Sequence, residues 1–178
     1  MSMLSVRGIT KSFGGVAANV DISFDVAEGE LLGVIGPNGA GKTTLFHQIS
    51  GFLKPDAGKV IFDGKDITGR RPDQVCDAGI GRTFQVVRMF SDMTVLDNVM
   101  IGAFNHTRSA RKADRTARAI IERVGLTDRT TALAKELTLA GRKRVELARA
   151  LATGAKLLLL DEVMAGLTPT EAEEAVAL

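Results

Sequence analysis

The stretch GPNGAGKTT, residues 36–44, decides the fold class of this 178-residue chain. Gly36 is followed by four residues and then by Gly41, Lys42 and Thr43, which is the spacing of a phosphate-binding loop, or P-loop. Glycines let backbone N–H groups approach phosphate oxygens, and the helix that follows adds partial positive charge at its N-terminus. Lys42 supplies charge for the β- and γ-phosphates, and the Thr43 hydroxyl can ligate Mg²⁺. The pattern predicts a nucleotide-binding loop; the alternative is a glycine-rich surface turn that binds nothing.

Backbone amides do much of the binding in such a loop, so the prediction covers the whole stretch. The residues expected to contact the nucleotide are Gly36, Pro37, Asn38, Gly39, Ala40, Gly41, Lys42, Thr43 and Thr44. The preceding residues, ELLGVIG (30–36), are almost continuously apolar, which is typical of a strand covered on both faces. After the loop, Leu45 and Ile49 share one face of a short predicted helix that Gly51 ends.

The rest of the chain predicts strands that alternate with helices, as in a parallel α/β sheet. Further strands are expected at residues 3–9, 20–26, 59–64, 80–85 and 156–162, with a proline-started helix near 72–78. A second group of helices is expected around 94–103, 109–124 and 142–152, where the composition is more basic and poorer in β-branched runs. We interpret residues 1–178 as one domain, in which a helical subdomain (86–154) is inserted into a nucleotide-binding core (1–85 and 155–178).

Three polar residues are expected to complete the site. Asp161 and Glu162 follow an apolar strand, at the carboxyl end where ligands bind in open α/β sheets. Asp161 is predicted to hold Mg²⁺ together with Thr43, and Glu162 to polarise the attacking water as a general base. The alternative is that the two acids are solvated and cap the next turn. Gln85 ends another predicted strand, and its amide can contact both the Mg²⁺ shell and the water.

Bulk properties exclude few functions. The net charge of +2 gives no overall field that favours nucleic acid or an acidic membrane. The single cysteine, Cys76, cannot form an intramolecular disulfide and fits a reducing cytosol. The N-terminus has no secretory signal pattern, and the longest apolar run, residues 157–160, is too short to span a bilayer. A role at a membrane would therefore require other chains to span it.

The order of these motifs resembles that of ABC-transporter ATPase subunits. GPNGAGKTT stands as their Walker A motif, TFQ (83–85) as their Q-loop and LLLLDE (157–162) as their Walker B motif. FSDMTVLDNVMIGA (90–103) and DEVMAGLTPTE (161–171) resemble the LivG-like group of branched-chain amino-acid importers. The resemblance extends from Leu4 to about Glu173.

This resemblance implies a fold and a function. The fold is an α/β P-loop NTPase (RecA-like) core with N-terminal antiparallel strands and an inserted helical subdomain. The function is ATP hydrolysis with Mg²⁺ that energises an importer, at the cytoplasmic face of the inner membrane. Implied partners are transmembrane permease subunits, a second ATPase subunit (identical or a sister chain) and, indirectly, a periplasmic solute-binding protein, with no nucleic acid. Alternatives are a soluble ABC-type ATPase acting on nucleic acid or ribosomes, and a non-catalytic nucleotide-binding fragment.

The resemblance also assigns residues outside the core motifs. LTLAG (137–141) stands where the family has its Leu-Ser-Gly-Gly-Gln signature, which contacts the γ-phosphate held by the other subunit. Thr138 would supply the hydroxyl, and the amides near Ala140 and Gly141 the remaining donors. Leu139 and Ala140 replace the two glycines and Gly141 the glutamine, so the methyl group of Ala140 narrows the approach to phosphate. The basic cluster Arg142, Lys143 and Arg144 is interpreted mainly as a solvated helix face, with nucleic-acid binding as the alternative.

Three further expectations follow from the resemblance. Phe13 occupies the position that stacks on adenine in the family, while core packing is the alternative. The helical subdomain, including residues 86–99, is expected to dock against permease helices. The family also has a histidine switch beyond its Walker B motif, and neither His47 nor His106 takes that position. The family's last core strands are absent as well, as in a piece of a longer polypeptide or a truncated product. We therefore expect this chain alone to bind nucleotide better than it hydrolyses it.

Overall fold

The computed structural model describes residues 2–84 and 89–161. The chain divides into two compact units between residues 78 and 79. The first unit contains the strands β1 (Ser2–Phe13), β2 (Val16–Ala27), β3 (Ala57–Phe62) and β4 (Lys65–Asp66), and the helices α1 (Lys42–Ile49) and α2 (Pro72–Ala78). The second contains β5 (Ile80–Arg82), α3 (Val95–Ala103), α4 (Ala110–Arg123), α5 (Leu139–Ala152), β6 (Leu157–Leu159) and two short 3₁₀ helices, Thr127–Arg129 and Ala134–Glu136.

An antiparallel sheet with the strand order β2-β1-β3-β4 organises the first unit. β1 lies in the middle of the sheet, where Leu4 is opposite Phe62 and Val6 is opposite Val60. All four side chains are at most 1% exposed, so alternate residues of the strands form the core. The N-terminal antiparallel strands that the family resemblance implies are thereby confirmed.

The predicted strand at residues 30–36 is wrong for the described part of the chain. These residues do not form a paired strand, and Leu31 and Ile35 are 93% and 97% exposed. A strand requires a neighbouring backbone to receive its N–H and C=O groups. Within residues 2–84 and 89–161, no strand pairs with this stretch. The apolar sequence of this stretch indicates a preference for burial, but it does not identify a neighbouring strand with which the stretch could pair.

The second unit is built from a parallel pair of strands and a set of packed helices. β5 and β6 are parallel, with Ile80 opposite Leu157 and Arg82 opposite Leu159, which confirms the parallel arrangement predicted for these strands. Both strands are shorter than predicted: β5 ends at Arg82 and β6 at Leu159, and one further backbone hydrogen bond, from the Thr83 N–H to the Leu159 carbonyl oxygen, follows the ladder. α3, α4 and α5 share one apolar core that contains Val95, Val99, Ile121 and Val145.

Local signals determine where the helices begin. Thr94 caps α3 by accepting a hydrogen bond from the Asp97 N–H at 3.1 Å, and Ser109 accepts one from the Lys112 N–H at 3.4 Å. The predicted helix at 72–78 is observed with those bounds, whereas α5 begins at Leu139 rather than at residue 142. Gly102 lets α3 approach α5 closely, since a Cβ there would lie 2.2 Å from the Arg149 carbonyl oxygen.

Within the described ranges, every helix is too short or too polar to cross a membrane. The predicted division between the core and the helical subdomain, at residues 85/86 and 154/155, stays a prediction.

Candidate functional site

The loop from Gly36 to Gly41 lies exposed or half-buried ahead of α1. Gly39 and Gly41 have φ angles of 82° and 86°, in the left-handed region that glycine adopts without strain. A Cβ on Gly41 would lie 2.1 Å from the Ala18 carbonyl oxygen and 2.7 Å from Asn19 Nδ2. Glycine is therefore required at position 41 by both the backbone conformation and the neighbouring strand.

The N-terminus of α1 is suited to an anion. The helix has no side-chain cap and no acidic residue in its first turn, so its first N–H groups keep their partial positive charge for a ligand. Lys42 begins the helix, and its ammonium donates to the carbonyl oxygens of Gly36 and Pro37 at 2.6 and 2.9 Å. The Lys42 side chain therefore bends back over the loop that precedes α1. Thr43 and Thr44 follow in the same turn and are half-buried.

In the second unit, Asp161 lies at the end of β6 and is 6% exposed. Its Oδ2 accepts a hydrogen bond from Arg82 Nη2 at 3.2 Å, and its backbone N–H donates to Thr83 Oγ1 at 3.3 Å. Because β5 and β6 are parallel, their carboxyl ends meet, which brings Arg82 and Thr83 beside Asp161. A carboxylate oxygen is a hard donor of the kind Mg²⁺ prefers, so Asp161 fits the predicted metal role chemically. The sequence analysis did not identify Arg82 as its partner.

The signature region begins α5. Thr138 is the cap of this helix, and its Oγ1 accepts a hydrogen bond from the Gly141 N–H at 3.2 Å. The two predicted phosphate donors therefore contact each other here. The Ala140 side chain is largely buried at 8% exposure, while Leu139 is 50% exposed. A cavity of about 340 Å³ opens beside them, lined also by Arg129 and Arg144.

The interpretation of the basic cluster as a solvated helix face is wrong for Arg142. Its guanidinium donates to the backbone carbonyl oxygens of Leu137 and Lys135 at 3.0 and 2.7 Å. These contacts fasten the 3₁₀ turn that precedes α5 to the helix itself. Lys143 and Arg144 are half-buried rather than exposed.

Phe13 ends β1 and is 47% exposed, so the core-packing alternative is wrong. The Lys11 ammonium lies 5.8 Å from the centre of its ring, and the exposed ring surface remains consistent with the predicted stacking role. Gln85 and Glu162, predicted for water positioning and general-base catalysis, lie outside the described residues, as do residues 86–88 of the predicted docking segment.

Glu146 is a buried acid that was not among the residues predicted from the sequence. It is 4% exposed on α5, and its Oε1 accepts a hydrogen bond from the Phe84 N–H at 3.2 Å. The contact joins the helix of the signature to the residue directly before Gln85. Burial lowers the pKa of the neighbouring Arg149, and the charge of Glu146 opposes this shift. The sequence does contain a signal for this role, since Glu146 is a charged residue at a helix position that faces the apolar core.

We expect Glu146→Ala to lower the free energy of unfolding by about 1–3 kcal/mol, because it removes a charged acceptor from a buried hydrogen bond. Glu146→Gln keeps an acceptor oxygen and should cost clearly less. Urea unfolding followed by circular dichroism measures both. Equal losses for the two variants would show that this hydrogen bond is not the source of the stability.

Comparisons with known proteins agree with this arrangement of motifs. A family model described as "ABC transporter" matches residues 20–165. The chain is 36% identical to the high-affinity branched-chain amino acid transport ATP-binding protein BraF of Pseudomonas aeruginosa, over 99% of this chain and 75% of the relative. It is 37% identical to the corresponding protein LivG of Escherichia coli K12, over 97% of this chain and 73% of the relative. The solved structure of MJ1267, an ATP-binding cassette of an ABC transporter, superposes with a TM-score of 0.91 at 36% identity, covering 99% of this chain and 75% of the other.

Proposed function

Because this chain belongs to the ABC transporter family of ATP-binding subunits, we propose that it binds and hydrolyses ATP to energise an importer of branched-chain amino acids. The observation that carries the proposal is the P-loop, whose lysine begins an uncapped helix, within a chain that aligns with such subunits over nearly its whole length. The names of those relatives supply the solute class.

In the proposed cycle, each P-loop group has a distinct task. The ammonium of Lys42 leaves the carbonyl oxygens of Gly36 and Pro37 and moves to the β- and γ-phosphates. The first N–H groups of α1 and the loop amides hold the remaining phosphate oxygens. The exposed ring of Phe13 stacks on the base. The exchange replaces neutral acceptors with charged ones, which favours the bound state.

Asp161 and the Thr43 hydroxyl would hold Mg²⁺, for which oxygen donors are suited. Bound Mg²⁺ would neutralise charge on the β- and γ-phosphate oxygens during phosphoryl transfer. Glu162 would take the proton of the attacking water, and Gln85 would orient that water through its amide. In a dimer of two ATPase subunits, Thr138 and the amides near Ala140 and Gly141 would contact the γ-phosphate bound by the other subunit.

Permease docking is proposed for the surface around α3. Phe90, Ile101 and Phe104 are 50%, 38% and 43% exposed and offer apolar surface to a partner. Asn98 fixes the backbone of Phe90 from the core, because its side chain exchanges hydrogen bonds with the Phe90 N–H and carbonyl oxygen, both at 3.0 Å. The chain would thus act at the cytoplasmic face of the inner membrane, with a periplasmic solute-binding protein as an indirect partner.

The proposal is tested by uptake of radiolabelled leucine into proteoliposomes that contain the chain with its permease subunits and Mg·ATP. Uptake that depends on ATP and is lost in Lys42→Ala is the expected result. Uptake no higher than that of Lys42→Ala would reject the importer role. Stimulation of ATP hydrolysis by RNA instead of by the permease would favour the soluble ATPase alternative.

We expect Glu162→Gln to lower the rate of ATP hydrolysis by about 10²–10³-fold, because the amide cannot accept the proton of the attacking water. Binding of Mg·ATP should stay within about two-fold, since the proposed role of Glu162 begins after binding. Single-turnover hydrolysis and calorimetric binding, both with the permease present, separate the two effects. Unchanged hydrolysis would remove Glu162 from the mechanism.

A further inference from the structure

A buried ion pair lies at the carboxyl end of the β5–β6 pair. The side chains of Arg82 and Asp161 are only 5% and 7% exposed, and their closest atoms, Nη2 and Oδ2, are 3.2 Å apart. Thr83 accepts a hydrogen bond from the Asp161 N–H and donates its own N–H to the Leu159 carbonyl oxygen at 3.0 Å. The position of Asp161 is therefore fixed through its backbone, while its carboxylate is partnered by Arg82.

A buried carboxylate needs a nearby positive charge, because the interior solvates ions poorly. Arg82 provides that charge. The proposed function requires the same carboxylate to contact a divalent cation. Two cations on one buried carboxylate repel each other, so the guanidinium and the metal compete for it.

The geometry of the pair suits a contact that can be released. The two side chains meet through one long hydrogen bond rather than through the two short parallel bonds of a bidentate arginine–carboxylate pair. The guanidinium carbon of Arg82 also lies 5.1 Å from the centre of the Phe84 ring, a cation–π contact that remains when the carboxylate is released. Arg82 thus has an alternative attachment directly beside Asp161.

We propose that Arg82 is a positioning residue that neutralises Asp161 before metal binding and must release it when the metal binds, so that Arg82 sets the Mg²⁺ concentration required by the nucleotide-bound protein. The proposal rests on the proposed metal role of Asp161. Release of Arg82 also acts on the segment before Gln85, because the next residues, Thr83 and Phe84, are hydrogen-bonded to Asp161 and to Glu146 of α5. Metal binding is thereby linked to the helix that carries the signature.

The test uses Mn²⁺ as a paramagnetic substitute for Mg²⁺, with free Mn²⁺ measured by electron paramagnetic resonance at saturating ATP. Arg82→Gln should lower the Mn²⁺ dissociation constant of the protein–ATP complex by about ten-fold, because the competing cation is gone. Arg82→Lys keeps the charge but reaches the carboxylate less well, so its constant should fall in the same direction by about three-fold. An unchanged or raised constant for both variants would overturn the proposal.

Controls separate this proposal from the proposed function. Arg118→Gln removes an exposed arginine that pairs with Asp114 on α4, and should leave the constant unchanged. Asp161→Asn should raise the constant strongly if Asp161 is a metal ligand. A raised constant for Asp161→Asn together with unchanged Arg82 variants rejects only the role of Arg82. If the Mn²⁺ dissociation constant is unchanged in Asp161→Asn as well as in the Arg82 variants, the metal role of Asp161 itself is rejected.

A second measurement covers the case in which Arg82→Gln does not fold, as judged by circular dichroism. In the wild-type protein, the ¹⁵N resonances of the Arg82 guanidinium should shift when Mg·ATP is added and not when ATP is added with EDTA. A merely structural ion pair would show no such metal-dependent change. Identical spectra in the two conditions would overturn the proposal.

Discussion

Lys42→Ala is expected to weaken Mg·ATP binding by about 100-fold, or about 2.7 kcal/mol. The ammonium of Lys42 donates hydrogen bonds to the carbonyl oxygens of Gly36 and Pro37. Alanine removes the cation that would otherwise transfer to the β- and γ-phosphates, while the loop amides and the start of α1 stay in place. The remaining affinity should be that of the loop backbone and the helix N-terminus.

Isothermal titration calorimetry of the full chain measures this loss. Lys54→Ala is the control, because it removes a lysine of the same unit that is exposed and lies outside the loop, and the affinity of this variant should equal that of the wild type. The two lost hydrogen bonds of Lys42 should lower the free energy of unfolding by no more than about 1–2 kcal/mol. Affinity within three-fold of the wild type, in a folded Lys42→Ala protein, would contradict the proposed phosphate site.

Gly102→Ala is expected to destabilise the second unit by about 3 kcal/mol. In an open helix position, alanine would stabilise α3 by about 1 kcal/mol relative to glycine. Here the added Cβ would lie 2.2 Å from the Arg149 carbonyl oxygen and 3.1 Å from Ala152 Cβ. Both atoms belong to α5, so the two helices must separate, and overpacking of this kind is costly.

Urea unfolding followed by circular dichroism gives the size and sign of the Gly102 effect. Gly33→Ala is the control, since a Cβ at Gly33 would meet no atom within 4 Å. Its free energy of unfolding should change by less than about 1 kcal/mol. A stabilising Gly102→Ala substitution would mean that α3 and α5 are not in close contact in solution.

The sequence was most informative where one local signal determines the structure. The P-loop spacing, the proline that begins α2 and the Thr94 cap of α3 each act within a few residues. The helices predicted at 72–78 and around 94–103 begin at Pro72 and Val95, within one residue of the prediction. The start of α5 was missed, because Thr138 was interpreted as a phosphate ligand and in the structure it also caps the helix. A hydroxyl at the start of a helix is suited to both roles.

Features that depend on distant partners were not predicted. The strand assigned to residues 30–36 requires a neighbour that sequence periodicity does not identify. The pair of Arg82 and Asp161 joins residues 79 positions apart. It could have been anticipated, since an arginine in a buried strand requires a counter-charge and Asp161 ends the adjacent parallel strand. Glu146 also depends on a distant partner, because it accepts a hydrogen bond from the backbone N–H of Phe84. Its role was therefore not predicted.

The exposed stretch LLGVI, residues 31–35, has a consequence for handling the protein. The stretch has four exposed aliphatic side chains and contains neither a charge nor a proline, as do segments that stack into intermolecular cross-β assemblies. The flanking residues oppose this, since Glu28 and Glu30 place negative charge before the stretch and Pro37 interrupts backbone pairing just after it. Replacing both glutamates by glutamine should therefore accelerate fibrillar aggregation of concentrated samples.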